Sequence, residues 1–367
     1  MITRRELLQQ GTALMALPAM AAHGRTIRPA RRKLDLLFLG GTQFLGRHQV
    51  EYALARGHRV TLFNRGRSAP SLFAGRAEIL LGDRDKNVGS GLTALQGGRR
   101  WDVVIDNSGY VPRHVSDSLD LLKDRARRYL YVSTVAVYDF SRGSTFKESS
   151  PLAAAPQPDT EEVTGRTYGP LKAECDRRVQ AALGQRATIV RPTYVFGPGD
   201  DTDRFTYWVD RIARGGTVLA TSNPTDEIQW IDVQDLCPWI IDLAERDQAG
   251  IYNAAGPARP TQWQQMLQAL TKLSSTPVEF KWAAPEILKQ TGISLPLARD
   301  GLLGSAQTPH FDSAAALRAG LRFRPLLDTA NATLSWWRAQ PAERRAQVVG
   351  WPTPEQEQQA LGLLATR

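Results

Sequence analysis

Residues 34–46, LDLLFLGGTQFLG, decide the fold of this chain. An apolar run ends in two adjacent glycines, a third glycine follows, and helical periodicity begins within the same stretch. Glycine permits a sharp turn and the close backbone approach that a diphosphate needs, and the first N–H groups of a helix are free to bind it. The pattern predicts a buried strand, a turn and a helix that contact a dinucleotide through Gly40, Gly41, Thr42, Gln43, Phe44, Leu45 and Gly46. A structural turn without a ligand is the alternative.

Strands and helices alternate beyond this stretch. Short apolar strands are predicted at 59–64, 77–83, 101–109, 128–138 and 187–200, with helices between several of them. This alternation is typical of an α/β fold with a doubly wound parallel sheet, whose ligands bind at the carboxyl edge of the strands. We therefore expect a Rossmann sheet. Because the alternation becomes irregular after residue 200, we also expect a smaller, mixed C-terminal substrate domain.

These patterns suggest four segments. They are a leader at 1–22, a Rossmann domain at 34–190, a substrate-binding region at 191–345 that returns some strands to the Rossmann sheet, and a tail at 346–367. The leader contains TRRELL at 3–8 and a short apolar run, which resembles a twin-arginine export signal. It predicts a periplasmic protein exported in its folded state. A stray N-terminal helix on a cytoplasmic protein is the alternative.

Composition restricts the other functional classes. The 367 residues include 42% hydrophobic and 23% charged residues, which is ordinary for a globular protein. The net charge of +9 comes from scattered basic residues, which argues against a nucleic-acid partner. No stretch after the leader is long and apolar enough to span a membrane. Cys175 and Cys237 are interpreted as buried thiols rather than a disulfide.

No set of His, Cys and acidic residues has metal-ligand spacing, so no metal is expected. The aspartates at 200, 201 and 203 follow a Pro-Gly turn and could suggest Ca²⁺. We interpret them as solvated turn residues and a helix cap.

The end of the second strand indicates which dinucleotide is bound. An acid at this position would accept hydrogen bonds from the ribose 2′-OH of NAD, but the chain has Asn64, followed by Arg65 and Arg67. Two guanidiniums suit a 2′-phosphate, which favours NADP over NAD. After the third strand, Asp83 is expected to accept a hydrogen bond from the adenine amine and Arg84 to stack on the ring.

A second motif, YGPLK at 168–172, predicts acid–base chemistry. Tyr168 and Lys172 lie four residues apart, on one face of a helix, and an ammonium near a phenol lowers the pKa of the phenol. Some 30 residues earlier, Ser133 and Thr134 end the fifth strand, where they would face the same site. Pro170 fits only within the first turn of the helix.

Taken together, these motifs resemble the extended short-chain dehydrogenase/reductase superfamily, in its NAD-dependent epimerase/dehydratase branch. The resemblance covers roughly 34–335 and rests on six motifs in order: GGTQFLG, VVIDNSG, YVSTVAVY, YGPLK, RPTYVFGPGD and WIDVQDL. It implies that Tyr168 is the general acid/base, that Lys172 is its electrostatic partner and a ribose ligand, and that Thr134, with Ser133 beside it, binds the reacting oxygen. It also implies cofactor contacts at Asn107, Ser108, Gly109, Pro192 and Thr193.

Substrate contacts are expected at Tyr110, Thr134 and Tyr194. Sugar-nucleotide epimerases of the family have an asparagine where this chain has Tyr194, which argues against a UDP- or dTDP-sugar substrate. The glycine turn and the arginine after the second strand look more like an atypical subgroup that includes chloroplast stem-loop RNA-binding proteins. A homodimer is usual in the superfamily.

Three functions follow as hypotheses. The first is an epimerase or dehydratase that acts on a hydroxyl or keto group of a sugar-like small molecule and keeps its nicotinamide bound and recycled. Export favours it, because the periplasm offers no evident supply of reduced nicotinamide. The second is an NADP-dependent carbonyl reductase or alcohol dehydrogenase. The third is an RNA- or partner-binding protein without turnover.

Overall fold

A computed structural model describes residues 27–154, 160–221, 223–297 and 308–365; the predicted leader lies outside them. The strands in chain order are β1 (Asp35–Leu39), β2 (Arg59–Asn64), β3 (Glu78–Leu81), β4 (Trp101–Asp106), β5 (Ala126–Val132), β6 (Thr145–Phe146), β7 (Ala187–Pro192), β8 (Tyr194–Phe196), β9 (Gly216–Thr221), β10 (Glu227–Asp232), β11 (Gly250–Ala254), β12 (Gly256–Gln262), β13 (Val278–Ala283) and β14 (His310–Phe311).

The α-helices in chain order are α1 (Phe44–Ala55), α2 (Pro112–Leu122), α3 (Tyr168–Leu183), α4 (Arg204–Ala213), α5 (Val233–Glu245), α6 (Trp263–Leu270), α7 (Pro285–Thr291), α8 (Ala314–Arg318), α9 (Leu326–Arg338), α10 (Ala342–Ala346) and α11 (Pro354–Ala365).

Seven parallel strands form the main sheet, in the order β11-β7-β5-β4-β1-β2-β3. Alternate residues of β1 enter cores on opposite faces: Leu36 and Phe38 pack in the core that α1 and α5 share, and Leu37 and Leu39 in the core of α2 and α3. A strand buried on both faces reads as a continuous apolar run, as DLLFL does. The predicted α/β class with a doubly wound parallel sheet is confirmed.

The strand order reverses at β1, because β2 lies on one side of it and β4 on the other. The crossover connections leave the sheet in opposite directions from this point. The loops that follow β1 and β4 therefore diverge, and a crevice opens at the carboxyl ends of these two strands. This crevice is the position at which a doubly wound fold binds its ligand.

Two predicted strands are shorter than the sequence indicates. β5 ends at Val132, and the next residues form a 3₁₀ turn, Val135–Val137, because the Thr134 hydroxyl accepts the Ala136 N–H at 3.2 Å and caps it. The predicted strand at 187–200 divides at Thr193. Its first part, β7, stays in the main sheet, and its second part, β8, pairs with β10 in a three-stranded sheet, β12-β10-β8.

A second core lies beyond the main sheet. Aromatic and aliphatic side chains of α4, α6, α7, α9 and the β9–β13 pair form it, with Trp208 fully buried at its centre and Ala360 of α11 packed against it. In the part of the chain that the structure describes, no helix is long and apolar enough to cross a membrane. Cys175 and Cys237 are buried free thiols, as expected.

Candidate active site and dinucleotide crevice

The turn after β1 has the shape of an anion cradle. Gly40 has φ +81°, a conformation that favours glycine, and a Cβ on Gly46 would lie 2.8 Å from the Gly40 carbonyl oxygen. α1 begins directly after this turn, and its first turn has no acidic residue and no side-chain cap from Gln43. The free N–H groups and the positive end of the helix dipole therefore have no acidic or capping partner from the helix's own first turn.

The loop after β4 forms the other wall of the crevice. Asn107 Nδ2 donates to the Gly40 carbonyl at 3.0 Å and to Gln49 Oε1 at 2.7 Å, and Ser108 Oγ donates to the Leu39 carbonyl at 3.0 Å. These bonds tie the two loops together at the reversal point of the sheet. The glycine cradle, the bare helix start and this polar wall fit the diphosphate of a dinucleotide.

A buried ion pair, Arg84 with Asp106, stabilises the loop after β4. Both oxygens of Asp106 accept from the Arg84 guanidinium, at 2.6 and 3.0 Å, and the Tyr129 hydroxyl donates to Asp106 at 2.7 Å. Burial alone would raise the pKa of Asp106, but the Arg84 charge and hydrogen bonds hold it below its ordinary value. Arg84 also donates to Ser108 Oγ at 3.0 Å. Adenine stacking by Arg84 stays a prediction; the edge of its guanidinium is hydrogen-bonded to the last residue of β4 and to the loop that follows.

The end of β2 is basic. Asn64 Oδ1 accepts the Gly66 N–H at 2.8 Å and closes a tight turn, so its carbonyl is already used within the loop. Arg65 and Arg67 are exposed, and neither side chain has a hydrogen bond or ion pair with the residues that the structure describes. Asp83 Oδ1 accepts the Asp85 N–H at 3.0 Å in the loop after β3.

Lys172 is a deeply buried charge at the crevice. Its Nζ donates to the carbonyls of Gly109 and Val132, each at 2.8 Å, and lies 4.1 Å from the centre of the Tyr131 ring. The Lys172 side chain is 2% exposed, and burial lowers its pKa to about 8. An ammonium has three N–H donors, and the two carbonyls take two of them.

Tyr168 opens α3, and the helix start is pressed against the turn after β5. A Cβ on Gly169 would lie only 2.2 Å from the Ala136 carbonyl oxygen, so glycine sets how closely α3 approaches the Thr134 loop. Pro170 is the third residue of the helix, within its first turn as expected. Tyr168 and Thr134 therefore stand on elements in direct contact, and Lys172 lies one helical turn from Tyr168.

The remaining predicted contacts surround this group. The Tyr110 ring lies 6.2 Å from the Tyr168 ring, between centroids, and 5.3 Å from Lys172 Nζ. Thr193 is buried where β7 ends, and its N–H donates to the Ala254 carbonyl at 3.2 Å. Tyr194 pairs with Trp230 of the neighbouring sheet. Ser133 is buried beside Thr134.

One cluster beside the crevice was missed from the sequence. Asp85, His114 and Glu161 place potential metal-ligand atoms within 4.8 Å of one another. Arg113 lies among them and donates to both carboxylates, at 3.0 and 3.1 Å to Asp85 and 2.5 and 2.8 Å to Glu161, so the group is an ion-pair cluster. The adjacent Arg113 and His114 were the only sign of this cluster in the sequence, because Asp85 and Glu161 come from distant segments.

Comparison with known proteins identifies the family of this chain. The model of the NAD dependent epimerase/dehydratase family matches residues 36–255. The chloroplast stem-loop binding protein of 41 kDa b from Arabidopsis thaliana is 25% identical over 245 residues, which are 62% of this chain and 60% of that protein. This chain therefore spans less than two thirds of the length of that relative.

Solved structures share the fold at low identity. The Bordetella bronchiseptica enzyme WbmG in complex with NAD and UDP has a TM-score of 0.60 and 14% identity, over 84% of this chain and 96% of that one. UDP-glucuronic acid 4-epimerase from Bacillus cereus, in complex with NAD, has a TM-score of 0.58 and 16% identity, over 82% and 97%. The family model covers more than half of the chain, including the glycine turn, Tyr168 and Lys172, and the chain belongs to the NAD-dependent epimerase/dehydratase family.

Proposed function

We propose that the protein is an enzyme that removes and returns hydrogen at a hydroxyl-bearing carbon of a sugar-like small molecule, as epimerases and dehydratases do. The observation that carries the proposal is the buried Lys172 ammonium, held between two backbone carbonyls one helical turn from Tyr168 and at the side of the glycine crevice. A buried charge costs free energy, so its retention at a ligand-binding edge fits a catalytic role.

The chain's residues perform the proton chemistry. Tyr168 Oη, as phenolate, takes the proton of the substrate hydroxyl, and the nearby Lys172 ammonium stabilises the phenolate. The Thr134 hydroxyl donates to the substrate oxygen and fixes it beside Tyr168. When bound, a nicotinamide dinucleotide supplies the hydride acceptor and, in the return step, the donor. Tyr168 then gives its proton back to the alcohol oxygen, so no proton is gained or lost over a turnover.

We propose NADP as the preferred dinucleotide. The support is the absence of an acid at the end of β2, where Asn64 stands, together with the exposed and unpaired guanidiniums of Arg65 and Arg67 in the part of the chain that the structure describes. Asp83 is proposed for the adenine amine. Asn107, Ser108 and Gly109 are proposed for the diphosphate and ribose, and Pro192 and Thr193 for the nicotinamide.

Export gives a reason for a recycled cofactor. If the leader directs the folded protein to the periplasm, a nicotinamide enzyme there gains from chemistry that returns the hydride within each turnover. A cofactor loaded in the cytoplasm would then serve for the life of the protein. The support for a periplasmic location is the leader, in which TRRELL is followed by a short apolar run.

The second candidate is binding of RNA or of a protein partner without turnover, for which the similarity to the stem-loop binding protein is the specific observation. Tyr168 and Lys172 favour the enzyme over this candidate. A homodimer is proposed because members of the superfamily are usually homodimers.

The deciding experiment denatures protein purified from its native compartment and quantifies the nicotinamide released. About one equivalent per chain, without turnover of added NADPH, supports the epimerase or dehydratase. A protein that carries none and oxidises NADPH with a carbonyl compound is an ordinary reductase and contradicts the proposal. In the active protein, Tyr168→Phe is expected to abolish turnover and to keep the bound nicotinamide, and full activity in this variant would remove the acid/base role.

A further inference from the structure

A stripe of polar side chains on α1 faces the link between β2 and β3. Gln43, at the start of the helix, donates from Nε2 to Ser68 Oγ at 3.2 Å. Eight residues later, Glu51 accepts both Arg76 nitrogens, at 3.1 and 2.6 Å. Ser68 and Arg76 belong to the same link. Arg47 is four residues from Gln43 and four from Glu51, so it lies on the stripe that both neighbours use to contact the link.

Arg47 has no anion of its own. Its Nε atom is buried without a hydrogen-bond partner, and no carboxylate among the described residues lies within ion-pair distance of its guanidinium. Glu51 lies four residues along the same helix, but its two oxygens accept hydrogen bonds from Arg76. Burial lowers the pKa of Arg47, so the folded protein disfavours this charge while it is alone. Its place near the start of α1, where the helix dipole repels cations, adds to the cost.

The link brings two further cations to the same region. Arg65 and Arg67 flank Gly66, which has φ +66° and whose N–H is bound by Asn64 Oδ1, so the chain turns immediately after β2. The Gln43–Ser68 hydrogen bond joins this turn to the start of α1. The end of β2 therefore lies beside the start of α1, and we call this junction, with Arg65 and Arg67 on one side and Arg47 on the other, the pocket.

We propose that Arg47 is the third cation of this pocket and binds the 2′-phosphate of NADP together with Arg65 and Arg67. The inference rests on the proposed preference for NADP. A 2′-phosphate carries a charge of about −1.5 to −2 and three acceptor oxygens, which matches three guanidinium donors. The half-buried Arg47 contributes most per contact, because its surroundings screen charge less than water does.

The test is an exchange experiment on the full chain. Wild-type protein is incubated with equimolar NAD⁺ and NADP⁺ and freed of unbound nucleotide, and the two dinucleotides released on denaturation are quantified. Wild type is expected to retain mainly NADP. Arg47→Ala is expected to shift the ratio of NADP to NAD about 10- to 100-fold toward NAD, the range that follows from losing a charge-assisted hydrogen bond. Arg47→Lys, which keeps the charge without the fork, is expected to shift it less.

Arg59→Ala is the matched control. Arg59 is an exposed arginine at the other end of β2, paired with Asp35, so it removes the same charge far from the pocket and is expected to leave the ratio unchanged. A wild-type protein that retains mainly NAD contradicts the proposed NADP preference itself. A wild type that retains NADP, with an unchanged ratio in Arg47→Ala, leaves that preference standing and shows that the inference about Arg47 is wrong. An equal shift in Arg59→Ala would also overturn it, because the effect would then be one of net charge.

Discussion

The charge of Lys172 is set by its burial and can be measured directly. Burial lowers the pKa of its ammonium to about 8, below the ordinary lysine value of about 10.4, so the side chain is charged below about pH 8 and neutral above it. We expect one resonance of ¹³Cε-labelled lysine to titrate near pH 8 and to be missing from Lys172→Met. Turnover is expected to fall as pH rises through the same range. A single midpoint near pH 10 for all lysines would contradict this assignment.

The same shift has a consequence for stability. Between about pH 8 and pH 10 the unfolded chain holds the Lys172 proton more tightly than the folded chain does, so stability from this group rises with pH across that window. Turnover and this part of the stability therefore change in opposite directions above pH 8.

Asp106 is a second residue whose removal has a large expected effect. It is fully buried and accepts both nitrogens of Arg84 and the Tyr129 hydroxyl. Asp106→Ala would leave the nearly buried Arg84 guanidinium without its counter-ion, for which we expect a loss of about 3–5 kcal/mol in the free energy of unfolding, measured by urea denaturation. Asp120→Ala, which breaks an exposed pair with Lys123, is the control and is expected to cost less than about 0.5 kcal/mol. Similar losses in the two variants would contradict this role.

At the scale of elements, the contact between α3 and the turn at Val135–Val137 positions the proposed catalytic groups. Gly169→Ala would place a Cβ 2.2 Å from the Ala136 carbonyl oxygen, so the helix start must move away from Thr134. We expect a loss of about 1–3 kcal/mol in unfolding free energy, as in other overpacked sites, and a larger proportional loss of turnover. A Cβ on Gly165 would meet nothing within 4 Å, so Gly165→Ala is the control. Full turnover in Gly169→Ala would show that this spacing is unimportant.

The elements around the crevice were predictable because their signals are local. The glycine turn, the strand ends and Tyr168 with Lys172 each depend on a few consecutive or helically spaced residues, and the structure brings them to one edge. The residues at 133–138 were predicted as strand because they are apolar and β-branched, but the Thr134 cap converts them to a turn. The bond between Arg84 and Asp106 was not predictable, because it joins the loop after β3 to the end of β4, and their proximity depends on the whole sheet.

At the scale of the molecule, the acidic turn after β8 also depends on contacts between distant segments, which the sequence does not reveal. Asp200 and Asp203 were predicted to be solvated, and both are buried, so that prediction is wrong. Burial raises the pKa of Asp200 to about 6. Asp203 stands at the helix-cap position of α4 as expected, yet its carboxylate does not cap the helix and instead accepts Arg344, at 2.5 and 3.0 Å. The C-terminal segment supplies this partner, more than 100 residues away in the sequence.

The last helix is part of the second core. Glu357 of α11 accepts Arg211 Nε through both oxygens, at 3.0 and 2.8 Å, and also the Leu219 N–H at 3.1 Å. The Arg211 and Glu357 side chains are each 11% exposed, so both charges are almost completely shielded from water and interact mainly with each other. Ala360, one turn further along, is fully buried beside them. The segment predicted as a tail contains this helix, which contacts α4 through Arg211 and β9 through Leu219.

Glu357→Ala is expected to destabilise the whole protein. It leaves the Arg211 guanidinium nearly buried without a carboxylate and the Leu219 N–H without an acceptor, which together cost about 3–5 kcal/mol of unfolding free energy in a urea titration. Gln358→Ala shortens the adjacent, exposed side chain of the same helix and is expected to change stability by less than about 0.5 kcal/mol. Glu357→Gln keeps the shape without the charge and should fall between them. If Glu357→Ala and Gln358→Ala unfold at the same urea concentration, the ion pair of Glu357 with Arg211 contributes nothing measurable to stability, and the Arg211 charge is solvated instead.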